Sequence, residues 1–106
     1  MHSWEVVCVD RDPDREFDDC RAIEEVGFLA PSLREESANT VAARIHQDHS
    51  NFHITVDGEQ VQLEAQRDPD VFFYPRTLEE DSPDDPLLAL PPCNRYERDQ
   101  KFAGKR

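Results

Sequence analysis

Asp57 and Gly58 stand between the runs "NFHITV" and "EQVQLEA", and Asp-Gly flanked by alternating apolar and polar residues is the strongest short-range mark of a tight hairpin. A two-residue loop fixes the register. Val56 then faces Glu59, Ile54 faces Val61 and Phe52 faces Leu63, so the aliphatic and aromatic side chains share one face. His53, Thr55, Gln60, Gln62 and Glu64 share the other. The first face is expected to be core and the second to be wet.

The rest of the chain is read outward from that hairpin. "WEVVCVD" places Trp4, Val6 and Cys8 on one side and Val7 and Val9 on the other, a strand covered on both faces. "RAIEEVGFLAP" is a second apolar strand, with Gly27 as a bulge or bend and Pro31 as a stop. Ser37 is the N-cap of an amphipathic helix whose buried stripe is Ala38, Val41, Ala42 and Ile45, with Glu35 and Glu36 near the positive end of the dipole. "RDPD" occurs at Arg11 to Asp14 and again at Arg67 to Asp70; both are read as turn chemistry, not as a duplicated unit. "VFFYPRT" is a last strand in which Pro75 removes a ladder donor, so an edge or a bulge is expected there. "LLALPPC" is expected to be an arm that lays Leu87, Leu88 and Leu90 over an open end of the core. Phe72 and Tyr74 alternate with Phe73, so one set faces away from the core or lies under that arm. The expected fold class is α+β: a single domain in which one amphipathic helix packs on a mostly antiparallel sheet of about five strands, in the order β-β-α-β-β-β. The domain takes residues 1–93 and leaves 94–106 as a basic tail.

Three strings, "SNFHITVDGEQVQLEA", "FFYPRT" and "DDPLLALPPC", carry a resemblance to the prokaryotic domain of unknown function family numbered thirty-eight ninety-two. The likeness runs from about Val6 to Cys93. Pro86 departs from the asparagine usual at that place, and the tail after Cys93 is additional. The resemblance implies a fold and no activity.

Charge bounds the function. The chain has 24 acidic and 12 basic residues, a formal net charge of -12. Arg95, Arg98, Lys101, Lys105 and Arg106 against Glu97 and Asp99 make the tail +3 and leave -15 on residues 1–93, and both lysines of the protein lie in the tail. Such a body opposes direct contact with nucleic acid or anionic lipid and favours a basic protein partner. With no apolar run near the roughly 18 residues of a membrane span and no export signal, the chain reads as soluble and cytoplasmic. Its 3 cysteines are then expected to be reduced, packed thiols and not a disulfide framework. Disorder, folding onto the acidic body and contact with phosphate all remain open for the tail.

Reaction machinery is hard to find. Asp10, Asp12 and Asp14 have the alternate spacing that opens a calcium loop, but Arg15 stands where glycine is needed and Arg21 where a bidentate Glu is needed, so a solvated acidic turn is preferred. His46, His49 and His53 lack the close cysteine pair of a structural zinc site and are expected at the surface. Asp18 and Asp19 raise the thiol pKa of Cys20, and no serine sits in a nucleophile-elbow string. Accordingly no catalytic residue, no metal and no cofactor is assigned. Two loop clusters remain as partner-binding candidates: Asp10, Asp12, Asp14, Glu16, Asp18 and Asp19, and then Glu79, Glu80, Asp81, Asp84 and Asp85. The reading is a small acidic interaction protein, not an enzyme, that docks on a basic surface and mimics nucleic-acid charge to inhibit a nucleic-acid-binding complex. The alternatives are a salt-adapted domain with a small-ligand pocket and a metal-binding protein. Oligomeric state is not legible.

Overall fold

β-branched and aromatic runs form the strands Ser3–Arg11, Ile23–Leu29, Asn51–Val56 and Phe72–Arg76 of this computed structural model, which describes residues 3–103, with side chains described as far as residue 98. The main sheet has five strands in the order β3-β2-β1-β4-β5. They are β1 (Ser3–Arg11), β2 (Ile23–Leu29), β3 (Leu33–Ser37), β4 (Asn51–Val56) and β5 (Glu59–Gln62). A separate ribbon pairs β6 (Glu64–Asp68) with β7 (Phe72–Arg76). Two helices complete the fold, α1 (Ala38–Gln47) and α2 (Cys93–Ala103), with single 3₁₀ turns at Cys20–Ala22 and Pro86–Ala89. The α+β class, the mostly antiparallel sheet and the amphipathic helix are as the sequence implies.

The hairpin register is the one that Asp57-Gly58 dictates: Val56 pairs with Glu59 and Ile54 with Val61, and the Leu63 N–H donates to the Phe52 carbonyl at 2.8 Å. Asp57 and Gly58 both have positive φ, 51° and 84°, the backbone of the turn that matches strand twist. Phe52 and Ile54 are buried, and Phe52 meets Phe28 edge-on at 5.1 Å between ring centres, an arrangement favoured by the ring quadrupoles. On the second face Thr55, Gln60, Gln62 and Glu64 are exposed as expected, and His53 departs from it. It is buried, with its Nδ1 2.6 Å from Ser3 Oγ, because β4 is not an edge: it also pairs with β1, in parallel, at Ser3–Glu5.

Ser37 caps α1 as expected, its Oγ accepting from the Thr40 N–H at 3.1 Å, and Ala38, Val41 and Ala42 are buried. The helix packs against β7, β6 and β2, so it lies between the ribbon and the main sheet. Glu35 and Glu36 belong to β3, an edge strand that the charged string "LREES" conceals. The expected long strand "EQVQLEA" breaks at Leu63, whose side chain turns into the core while β6 leaves to pair with β7. Pro75 is buried within that two-stranded ribbon opposite Ala65. The bulge assigned to Gly27 lies instead across from it in β1, where the register shifts between Val6 and Cys8.

Both "RDPD" strings make the same turn: Asp12 Oδ1 accepts from the Asp14 N–H and Asp68 Oδ2 from the Asp70 N–H, each at 2.9 Å. The arm behaves as expected, with Leu87 and Leu88 buried and the Val9 N–H bonded to the Pro91 carbonyl at 3.1 Å. It delivers Cys93 to the sheet. From there residues 93–103 form the helix α2; residues 104–106 lie outside the described part.

Candidate functional site

Arg21 joins the two acidic loops. From its 3₁₀ turn it reaches Asp19 at 2.7 Å, Asp68 at 3.3 Å and Asp81 at 3.8 Å, and its guanidinium lies 4.2 Å over the Phe17 ring. Residues 9 to 19 and 77 to 85 are thereby drawn to one flank beside the ribbon. Arg76 reinforces this by donating to Asp81 Oδ1 at 2.9 Å and to the Glu79 carbonyl at 2.7 Å. The Tyr74 hydroxyl donates to the same Asp81 oxygen at 2.5 Å. Burial and then the Asp81 carboxylate push the Tyr74 hydroxyl up to about 12, so it stays protonated as a donor.

The predicted partner-binding residues divide into two groups. Asp19 and Asp85 are withdrawn from any docking surface, being 3% and 2% exposed. The Arg21 hydrogen bond holds the Asp19 carboxyl below the usual carboxylate range against the opposing effect of burial. Burial pushes Asp85 up, but hydrogen bonds from the Thr77 hydroxyl and the Leu87, Thr77 and Leu78 N–H groups outweigh it and leave its carboxyl low. Asp10 and Asp12 are half-buried; Asp10 accepts from the Cys93 N–H at 3.0 Å, and Asp12 pairs with Arg15 at 3.6 Å. Asp10, Asp12 and Asp14 therefore do not converge on a point. Asp81 is tied to Arg21 and Arg76. The free remainder is Asp14, Glu16, Asp18, Glu79, Glu80 and Asp84, all exposed and, among the described residues, in no ion pair.

Cysteine chemistry departs most from the sequence reading. Cys8 and Cys93, 85 residues apart, form a disulfide with Cα atoms 4.9 Å from each other, correcting the expectation of three reduced thiols. Gly27, the ladder partner of Cys8, makes room for it. A Cβ there would collide with Cys8 Sγ and stand 2.8 Å from Cys93 Sγ. Cys20 remains a buried free thiol, and burial, followed by Asp85, Asp19 and Asp81, pushes its pKa far up, so it is a packing residue and a poor nucleophile.

Carboxylates crowd the disulfide. Asp10 on β1 pairs with Glu25 on β2, and Glu35 on β3 pairs with Gly27. Burial, then Asp10, Glu97 and Glu25, push the Glu35 carboxyl up. Asp10, Glu35 and Cys93 offer ligand atoms that all lie within 4.8 Å of one another. Sequence reasoning missed this cluster because its members come from two strands and a helix far apart in the chain, and it missed Arg21 as the hub for the same reason. The only local signal was Arg21 directly following an acidic run.

His46 and His49 are exposed, and the three histidines do not gather with the cysteines. His46 lies 5.4 Å from the Phe73 ring. Cavities open on two faces, one of about 340 Å³ among Arg67, Pro69, Phe72 and Phe73 and one of about 440 Å³ among Ser3, His49, Asn51, Gln60 and Gln62. No helix among the described residues is long and apolar enough to cross a membrane. No protein-family model, curated protein or solved structure matches the chain.

Proposed function

We propose that this protein is a non-catalytic acidic interaction module that docks its Arg21-pinned flank on a basic protein surface, in the manner of a nucleic-acid-charge mimic. One observation carries the reading. The cations nearest the flank are used internally, Arg15 on the Arg21 and Ile23 carbonyls, Arg21 on three carboxylates, and Arg76 on Asp81 and the Glu79 carbonyl. The exposed carboxylates of both loops thus have no ion-pair partner among the described residues. Fixed uncompensated charge gives complementarity and steering without ordering costs at the moment of binding. Kinship with the family of the sequence resemblance is part of the same proposal.

A labelled arginine-rich peptide titrated with the protein across a salt series tests the reading. Affinity is expected to fall steeply as salt rises, since exposed charges are screened over a Debye length of about 8–10 Å. Binding that is unchanged by salt contradicts an electrostatic dock. Folding that itself requires molar salt favours the salt-adapted alternative.

A further inference from the structure

The disulfide lies against two carboxylates. Cys93 Sγ lies within 4.8 Å of carboxylate oxygens of Asp10 and Glu35, and Cys8 Sγ is bonded directly to Cys93 Sγ. One sulfur and two carboxylates therefore meet at one point, held by β1, β3 and the first residue of α2, and reduction frees the second sulfur, Cys8 Sγ, beside them. Both cysteines are fully buried, Asp10 is half-buried and Glu35 is exposed. The sulfurs thus form the floor and the carboxylates the rim.

We propose that Cys8, Cys93, Asp10 and Glu35 form a redox-gated zinc site, closed when the cysteines are joined and open when they are reduced. Zinc accepts thiolate and carboxylate ligands together in a four-coordinate shell, and it requires the sulfurs deprotonated. A dithiol reductant supplies the opening step. Its thiolate attacks one sulfur and the Cys8–Cys93 bond breaks; its second thiol resolves the mixed disulfide, so the reductant leaves oxidised and two electrons and two protons remain on the cysteine pair. Zinc then displaces the two thiol protons as two Zn–S bonds form. The crowding of Asp10 against Glu25 directly across the ladder is a like-charge contact that costs stability, and a cation at this point relieves it. The bound ion also replaces the covalent tie between β1 and α2, so the fold is stapled in both redox states.

Zinc itself is the probe, added to the full chain carrying Cys20→Ala so that only the pair can react. Elemental analysis after desalting is expected to give about one zinc per reduced chain and none per oxidised chain, and cobalt(II) in its place is expected to show thiolate charge-transfer absorption. Glu35→Gln, at an exposed position, is expected to weaken zinc binding by about tenfold or more. Cys93→Ser is expected to abolish binding. Reduced protein that takes up no zinc overturns the proposal, as does uptake that survives Cys93→Ser or is equally tight in Glu35→Gln.

Discussion

At the scale of single residues, the acidic flank depends on a few buried polar groups that hold the exposed ones. Asp85 accepts four hydrogen bonds while 2% exposed, and removing a buried acceptor leaves its donors unsatisfied. Asp85→Ala is expected to lower unfolding free energy by about 3 kcal/mol in denaturant titration. Since the folded-state carboxyls of Asp85 and Asp19 lie below their ordinary values, their stabilisation is fully present above the unfolded value of about 3.9 and is lost as pH falls through the folded values. Acid titration of Asp85→Asn should therefore show a shallower loss of stability below about pH 4 than the parent chain. Arg21→Leu leaves Asp19 buried without its partner. Because the Arg21 side chain is still 27% exposed, the expected cost is about 2–3 kcal/mol, under the range for a fully buried pair.

At the scale of elements, local chemistry was legible wherever neighbours in sequence decide the outcome. The Asp57-Gly58 register, the Ser37 cap and both Asp-x-Asp turns needed only a few consecutive residues. Ser37→Ala is expected to cost about 1 kcal/mol, read from the thermal midpoint. What stayed hidden was decided across the fold. β3 carries one apolar residue in "LREES" and is a strand because β2 offers it a ladder. His53 is buried because β1 runs alongside β4. The Cys8–Cys93 bond closes 85 residues of chain, and Gly27 shows its purpose only once Cys8 lies opposite. Gly27→Ala is expected to block the bond, so a thiol titration in denaturant without reductant should give about three reactive thiols in place of the single Cys20.

At the scale of the whole molecule, a formal charge of -12 is either concentrated to a purpose or spread for hydration. The two origins differ in how position matters. Asp18, Glu79 and Glu80 belong to the pinned flank, whereas Asp48, Asp57 and Glu59 lie at the end of α1 and on the β4–β5 hairpin; all six are exposed. Neutralising either trio to amides changes the net charge by the same amount. The decisive measurement is the affinity of both triple variants for an arginine-rich peptide at one low salt concentration. Docking by the flank predicts that the Asp18, Glu79 and Glu80 variant loses about tenfold or more while the other stays close to the parent chain. Equal losses in the two variants would contradict the flank as a binding surface and leave the acidity as a general property of the exterior.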